Sequence, residues 1–346
     1  MTTATKKREM TMAEALRDAM RLAMREDPSV FLIGEDIGVE GGFGGGFTVT
    51  LGLSDEFGHE RVMDTPISEA AIIGAAVGAA MVGMRPVAEM QYGDFVFVGM
   101  DQVVNQAAKM HYMSNGQVNV PMVLRLPVGA SRRGAQHAQS TEAYWMHTPG
   151  LKVACPSNPY DAKGLLYAAI LDENPVIFLE HKLLYGGKGG RKEKTSLDLV
   201  MEVPEQVYEV PLGSVRVARE GTDVSILANM LMLHRALAAA DQLVEFGINA
   251  EIIDMRCLLP LDIESLAKSV RKTNRVLIVE EDNITCGWGA EVASLLGEEL
   301  FYYLDAPIKR VAAPHTPAPT APSLEREYLP DTNKIVTAVK AIMEGG

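Results

Sequence analysis

The 346-residue chain is poor in the features that mark several large protein classes. It has three cysteines, Cys155, Cys257 and Cys286, and their spacing fits neither a disulfide framework nor a zinc site. Basic residues number 32 against 45 acidic ones, and the net charge of −13 repels phosphate backbones and anionic lipid surfaces. These deficits predict a reducing, cytoplasmic environment and argue against nucleic acid as a partner.

Long apolar runs and the short motifs of common chemistries are also missing. The most apolar stretch, residues 70–84, ends at Arg85 and Pro86 and is shorter than the roughly 18 residues of a membrane span. No phosphate-binding loop, zinc-protease pair or nucleophile elbow occurs, and the glycine tract 41–46 gives no dinucleotide fingerprint in any register. The sequence therefore predicts no membrane span and no self-contained nucleotide or hydrolase site.

Short apolar runs alternate with segments of helical period along most of the chain. Residues 30–34 are typical of a buried strand. In the first half, helical period is found over residues 69–82, 95–113 and 160–171. This alternation predicts an α/β fold with mainly parallel sheets covered by helices on both faces.

The alternation lapses once and then restarts, which predicts two domains. Glycines and separated prolines dominate the interruption, and prolines in residues 314–322 predict an extended surface loop near the end. We expect a first domain over residues 1–190, a linker over 191–213 and a second domain over 214–346.

A carboxylate stands at the start of a nearly all-apolar helical segment, where Glu69 follows Ile67 and Ser68. Gly74 and Gly78 lie on one face of that helix and allow another backbone to approach, which predicts a helix–helix interface, between subunits. Glu69 either complements the helix dipole or, desolvated by apolar neighbours, shares a proton with a basic ligand nitrogen.

A second candidate is His137, in a polar, glycine-punctuated loop over residues 129–139. The loop follows a predicted strand at 122–126, and loops at the carboxyl ends of strands hold the ligands of α/β sheets. His137 is therefore either a ligand-site histidine or an exposed histidine without a role.

The motifs, in order and over nearly the whole chain, resemble the beta subunit of the thiamine-diphosphate-dependent component of 2-oxo acid dehydrogenase complexes. The matching segments are residues 30–36, 61–69, 136–139, 149–153, 160–166, 174–178, 252–256 and 260–262. Within that family, three segments look most like acetoin dehydrogenase beta chains, with pyruvate and branched-chain types close: residues 155–159, 180–185 and 313–317.

The resemblance implies a transketolase-like pyrimidine-binding domain followed by a transketolase C-terminal domain. It implies a heterotetramer of two alpha and two beta chains, in which the alpha chain holds the diphosphate and Mg²⁺ through a Gly-Asp-Gly element that this sequence lacks. Thiamine diphosphate would then lie between chains. The resemblance assigns Glu69 to the pyrimidine ring nitrogen and Ile67 and Phe95 to the walls of the ring pocket.

Further roles are implied by the same resemblance. His137 matches an active-site histidine that hydrogen-bonds the reacting substrate or delivers a proton during transfer to a lipoyl sulfur. The implied ligands of a K⁺ ion are Met122, Val123, Ala169, Asp172 and Asn174. Two features depart from the pattern: an insertion over residues 186–196, and the adjacent cations Arg132 and Arg133, which either favour a carboxylate-bearing substrate or face water.

The resemblance implies an oxidoreductase subunit that acts on a 2-oxo acid, pyruvate or branched-chain, or on acetoin. The acyl group would pass to a lipoyl-bearing acyltransferase core. Two alternatives stay open at this point: a non-catalytic subunit that assembles and docks the same type of complex, and a free-standing transketolase-type enzyme.

Overall fold

Two sheets, each flanked by helices, form the core of the chain. The computed structural model describes residues 7–39, 41–186 and 197–345. Within those ranges one sheet has seven strands and the other has five. All but one strand of each sheet run parallel, which confirms the predicted α/β fold.

The first sheet carries the candidate site at one edge. Its strands, numbered along the whole chain, are β2 (Val30–Gly34), β3 (Val62–Asp64), β4 (Arg85–Glu89), β5 (Val123–Val128), β6 (Lys152–Ala154), β7 (Val176–His181) and β12 (Cys257–Leu259). Their order across the sheet is β12-β6-β7-β5-β4-β2-β3. The central strands are buried almost throughout, as expected for a parallel sheet covered on both faces.

The helices of the first half begin at recognisable caps. They are α1 (Met12–Glu26), α2 (Leu53–Phe57), α3 (Glu69–Met81), α4 (Ala108–Met113), α5 (Glu142–Met146) and α6 (Pro159–Leu171). At α1, the Glu14 N–H donates to Thr11 Oγ1 at 3.3 Å and the Thr11 N–H donates to the Glu14 carboxylate at 2.8 Å, forming a capping box. At α6, Asn158 caps the helix and Pro159 takes its first position.

The continuous helix predicted over residues 95–113 is broken into three pieces. A 3-10 turn covers Gly93–Gly99, a π-helical stretch covers Gln102–Ala107, and α4 follows. The 3-10 turn packs against the start of α3, and a Cβ at Gly99 would stand 3.1 Å from the Glu69 carbonyl oxygen. Phe95 therefore lies in a turn whose last residue, Gly99, packs against the Glu69 backbone.

The second sheet has the order β14-β13-β10-β11-β9, formed by β9 (Arg216–Arg219), β10 (Val224–Ala228), β11 (Ala250–Asp254), β13 (Val276–Asn283) and β14 (Lys309–Ala313). Its helices are α7 (Met230–Leu243), α8 (Ile263–Thr273), α9 (Trp288–Leu300), α10 (Pro322–Tyr328) and α11 (Thr332–Glu344). Helix α10 was not predicted. It begins at Pro322, whose missing N–H is not needed at a first helical position.

The two halves are joined by more than a connecting segment. Strand β1 (Lys7–Thr11) pairs antiparallel with β8 (Val200–Pro204), so the segment predicted as a linker contributes a strand to the first half. Strand β12 comes from the second half and extends the first sheet beside β6. The predicted insertion, apart from Gly186, lies outside the described residues. No helix within the described ranges is long and apolar enough to cross a membrane.

Candidate active site

Acidic residues follow three neighbouring parallel strands of the first sheet. Glu35 comes directly after β2, Glu69 follows β3 at the first position of α3, and Glu89 ends β4. Because carboxyl ends of parallel strands meet at one edge of a sheet, the fold brings these carboxyl groups together. Ligands of open α/β sheets bind at such an edge.

Glu69 is half-buried, and none of the described Lys, Arg or His side chains pairs with it. Its carboxylate forms no hydrogen bond or ion pair within the described part of the chain, and the Ser68 side chain does not cap the helix. The first-turn position places the carboxylate near the positive end of the helix dipole. It is therefore free to meet a group that the chain itself does not supply.

Glu35 is a site residue to which sequence reasoning gave no role. It is buried, and its Oε1 atom has no hydrogen-bond partner among the described residues. Burial raises the pKa of the Glu35 carboxyl, and the nearby Glu69 carboxylate raises it further. The signal that could have found it is a carboxylate directly after a fully buried strand. Thr65 adds a second buried oxygen, Oγ1, without a partner.

Aromatic rings connect the acidic edge to the histidine loop. The His137 ring lies edge-on to Phe95, with ring centroids 5.3 Å apart, and edge-on to Tyr92 at 5.9 Å. The structure thus brings Phe95 and His137 into contact, while Ile67 is 80% exposed. The Arg133 guanidinium lies over the Tyr92 ring, 5.7 Å from its centroid, and Arg132 is exposed.

A second acidic cluster at the same edge, Glu89 and Glu180, is neutralised by a buried arginine of the same chain. The Arg125 guanidinium donates to both Glu180 oxygens at 2.7 Å and pairs with Glu89 on its other side. All three side chains are buried. The Tyr185 hydroxyl donates to Glu180 at 2.6 Å and Gln91 donates to Glu89 at 2.7 Å, so the cluster is hydrogen-bonded throughout.

Asp172, one of the five residues predicted to bind K⁺, already contacts two protein cations. Asp172 pairs with Lys152 and accepts from the Asn174 N–H at 2.9 Å, and the Arg85 guanidinium donates to the Asp172 carbonyl oxygen at 3.2 Å. Lys152 and Asn174 hold the pKa of Asp172 below its usual value against the opposing effect of burial. In the described ranges no group of three or more His, Cys, Asp or Glu side chains is arranged for a metal ion.

A cavity of about 1070 Å³ opens between the two halves, beside Gln136 and Gln139 of the histidine loop. Asp282 lines it, and both this residue and the nearby Glu142 are buried with carboxylate oxygens that lack partners. Burial raises the pKa of Asp282 to about 6, and burial followed by Asp282 raises the pKa of Glu142. This pair is distinct from Glu35 and Glu69.

Two protein families match the two halves of the chain. Residues 8–188 match the family described as "Transketolase, pyrimidine binding domain". Residues 213–335 match the family described as "Transketolase, C-terminal domain". The first match contains all of the acidic sheet edge and the histidine loop.

Curated relatives span almost the full chain. The acetoin:2,6-dichlorophenolindophenol oxidoreductase subunit beta of Bacillus subtilis is 47% identical, covering 97% of this chain and 98% of its own. The 2-oxoisovalerate dehydrogenase subunit beta of the same organism is 43% identical, covering 97% and 99%. The mitochondrial pyruvate dehydrogenase E1 component subunit beta-2 of Oryza sativa subsp. japonica is 46% identical, covering 96% and 86%.

A solved structure, "Split gene transketolase, inactive beta4 tetramer", has the same fold. The TM-score is 0.75 with 97% of this chain and 98% of the other covered. The sequence identity is 22%, so this likeness concerns the fold alone.

Proposed function

The chain belongs to the beta subunits of the thiamine-diphosphate-dependent components of 2-oxo acid and acetoin dehydrogenase complexes, and we propose that Glu35 and Glu69, at the acidic edge of its first sheet, bind the aminopyrimidine of the cofactor. The enzyme is an oxidoreductase component that acts on 2-oxo acids or acetoin. The family membership agrees with the resemblance found in the sequence. The residue roles that follow are our proposal.

The observation that carries the proposal is the pair formed by Glu35 and Glu69. Neither carboxyl forms an ion pair within the described ranges, and one Glu35 oxygen has no hydrogen-bond partner. A buried carboxyl without a partner costs free energy unless it keeps a proton or meets a ligand. A basic ring nitrogen fits this need, because it can share a proton with Glu69.

Glu69 would hold a proton at the pyrimidine ring nitrogen, with the buried Glu35 carboxyl beside it. Phe95 and Ile67 would form the apolar walls of the ring pocket and exclude water. His137, in contact with Phe95, would hydrogen-bond the substrate oxygen or deliver a proton during acyl transfer. Bound thiamine diphosphate supplies the nucleophilic carbon that attacks the substrate carbonyl.

The cofactor site would be completed by an alpha chain. Helix α3 exposes a face of small residues, and a Cβ at Gly78 would meet no atom of the described residues within 4 Å, apart from the backbone of its own helix. Ile67 before the helix, Val82 after it and Val98 in the 3-10 turn packed against it are 80%, 81% and 64% exposed. Exposed apolar side chains that cluster on one surface mark protein interfaces. We propose a heterotetramer of two alpha and two beta chains that serves a lipoyl-bearing acyltransferase core.

Mg²⁺ and the diphosphate are assigned to that alpha chain, since this sequence lacks the Gly-Asp-Gly element. K⁺ binding at Asp172 stays a prediction and enters no step, because Lys152 already pairs with this carboxylate. Cys155, Cys257 and Cys286 are free thiols, which supports a reducing, cytoplasmic location.

The test is Glu69→Gln, assayed in the complex purified with its alpha chain. Turnover of pyruvate, branched-chain 2-oxo acids and acetoin is measured with an artificial electron acceptor. We expect turnover to fall by about 10²- to 10⁴-fold while the complex still assembles. The control is Glu60→Gln, at an exposed carboxylate, which should leave turnover unchanged.

The alternatives give other results in the same experiment. A non-catalytic assembly subunit would support full turnover with Gln at position 69. A free-standing transketolase-type enzyme would bind thiamine diphosphate as the isolated chain, which is measured by calorimetry. Either result would reject the proposed shared site.

A further inference from the structure

The loop that carries His137 closes on itself at a narrow neck. The Gly129 N–H donates to the Gln139 carbonyl oxygen at 3.0 Å, which brings the two ends of the loop over residues 130–138 together. Gly129 and Gln139, with the adjoining Ala130, form the neck of the loop. On the Gln139 side, Asp94 accepts the backbone N–H and the side-chain amide of Gln139 at 3.0 and 3.1 Å. This side of the neck is fixed by the first domain.

The other side of the neck is fixed by the second domain. Glu281, near the end of β13, accepts the Ala130 N–H at 2.5 Å and lies 2.9 Å from His181 Nε2. Glu281 and His181 are 4% and 1% exposed. Burial opposes ionisation, but His181, the Ala130 N–H and Arg235 together keep the pKa of Glu281 below its usual value. Glu281 therefore remains an acceptor at neutral pH.

The tautomer of His181 is fixed by its second nitrogen. The Leu183 N–H donates to His181 Nδ1 at 3.1 Å, so a neutral ring carries its proton on Nε2 and donates it to Glu281. The His181 ring packs closely against Gly129 of the neck, since a Cβ at Gly129 would stand 2.2 Å from His181 Nε2. Glu281 thus holds the neck directly and through His181.

Two more hydrogen bonds hold the loop, one at His137 and one at Arg132. Lys182 Nζ, on a side chain 1% exposed, donates to the His137 carbonyl oxygen at 2.8 Å. Glu325 of α10, also in the second domain, accepts the Arg132 N–H at 2.6 Å. Glu281, Glu325 and Lys182 therefore hold the loop at Ala130, Arg132 and His137.

We propose that Glu281 is a positioning residue for His137, through which the second domain sets the orientation of the imidazole against the reacting substrate. This inference rests on the proposed function, in which His137 acts on the substrate. Small displacements of a catalytic group lower turnover strongly, so Glu281 should affect kcat without touching cofactor or substrate.

The test compares Glu281→Gln with Glu280→Gln in the alpha–beta complex. A glutamine at 281 can satisfy Ala130 but turns an N–H toward the His181 N–H. Glu280 is a matched control, since it is also buried, accepts from Gly289 and Arg310 at 2.7 Å, and forms no hydrogen bond or ion pair with the described residues of the histidine loop. Turnover, thiamine diphosphate affinity and substrate KM are measured for both variants.

We expect Glu281→Gln to lower kcat by about 10- to 100-fold with cofactor affinity unchanged, and Glu280→Gln to lower kcat by less than about 3-fold. In a His137→Ala background the Glu281→Gln effect on residual turnover should vanish, because both changes act on one step. Equal kcat losses in the two glutamine variants, or a full additional loss in the His137→Ala background, would overturn the proposal.

If Glu281→Gln does not assemble, Glu281→Asp replaces it in the same assays with the same criteria. Aspartate keeps the charge but is one methylene too short to reach Ala130 and His181 together. Failure of the proposed function is recognised separately: it requires full turnover of Glu69→Gln, whereas failure of the positioning role leaves Glu69→Gln inactive.

Discussion

The first sheet carries two acidic clusters at the same edge that differ in how their charge is met. Glu89 and Glu180 share Arg125, and the three side chains are buried and hydrogen-bonded together. Glu35 and Glu69 follow the next two strands of the sheet, β2 and β3, and pair with no cation in the described ranges. The cluster of Glu89, Arg125 and Glu180 is charge-paired within the chain and is called the complete cluster. The pair of Glu35 and Glu69, without a cation in the described ranges, is called the open cluster.

This difference separates structure from function in residues of the same type. An internally paired carboxylate contributes to the folded state and cannot easily accept a ligand. An unpaired carboxyl at a sheet edge is destabilising by itself, and a cofactor that brings a protonatable nitrogen offsets that cost. The open cluster also lies beside the uncovered face of α3, where the chain leaves room for a partner.

The largest expected effect comes from breaking the complete cluster. Arg125→Met leaves Glu89 and Glu180 buried without a cation, so the free energy of unfolding should fall by about 3–5 kcal/mol. Denaturant unfolding measures it. The control is Arg271→Met, which removes the exposed pair with Glu299 and should cost less than about 1 kcal/mol. Equal losses in the two variants would contradict the structural role of Arg125.

Changes on the exposed face of α3, beside the open cluster, should affect binding of the alpha chain rather than folding. Gly78→Leu adds a side chain at a position where a Cβ would meet no atom of the described residues within 4 Å, and it would fill the space proposed for the alpha chain. We expect alpha-chain binding to weaken by about 100-fold, or about 2.7 kcal/mol, with the folded beta chain unaffected. Gly297, on α9, is the matched control, since a Cβ there also meets nothing within 4 Å. If Gly297→Leu weakens binding equally, α3 is not the interface.

Glu35→Gln tests how the open cluster affects the free energy of unfolding and turnover. Because burial and neighbouring carboxylates raise the pKa of Glu35, ionisation at this site opposes folding as pH rises. The amide should leave the unfolding free energy equal or higher at pH 8, while turnover of the complex falls by about 10- to 100-fold. A loss of stability with unchanged turnover would assign Glu35 to the fold.

A smaller, pH-dependent effect is expected at the seam between the halves. The folded-state pKa of Asp282, about 6, lies above the unfolded value near 3.8, so the folded state holds the proton more tightly. Stability therefore decreases as pH rises between these values and stays lower above them.

Asp282→Asn cannot ionise and should raise the free energy of unfolding by about 1–2 kcal/mol at pH 8, and by about a third of that gain at pH 4.5. Thermal unfolding at the two pH values measures the difference. Glu291→Gln, at an exposed position of α9, is the control and should change stability at neither pH. A gain for Asp282→Asn that is the same at both pH values would exclude the raised pKa as its cause.

The sequence predicted the α/β architecture because strand and helix periods are local properties. The strand at 30–34 and the helix predicted over 160–171, observed as Pro159–Leu171, show this directly. Glu69, Phe95 and His137 were singled out from their sequence segments and the family resemblance, and the fold brings the Phe95 and His137 rings into contact.

Other features depend on contacts between distant segments and had no local signal. The 3-10 turn at Phe95 arises where Gly99 meets the start of α3. Strand β12 pairs with a strand more than a hundred positions earlier in the chain. Glu281 and His181 are likewise a hundred residues apart, and only the folded chain shows that they hold the same loop.

The most direct test of the central claim is a structure of the alpha–beta complex with thiamine diphosphate bound. The measured quantity is the distance between a Glu69 carboxylate oxygen and the pyrimidine ring nitrogen. We predict a hydrogen bond of about 2.6–3.2 Å. A Glu69 carboxylate that faces solvent, with the ring nitrogen bound by another residue, would contradict the account.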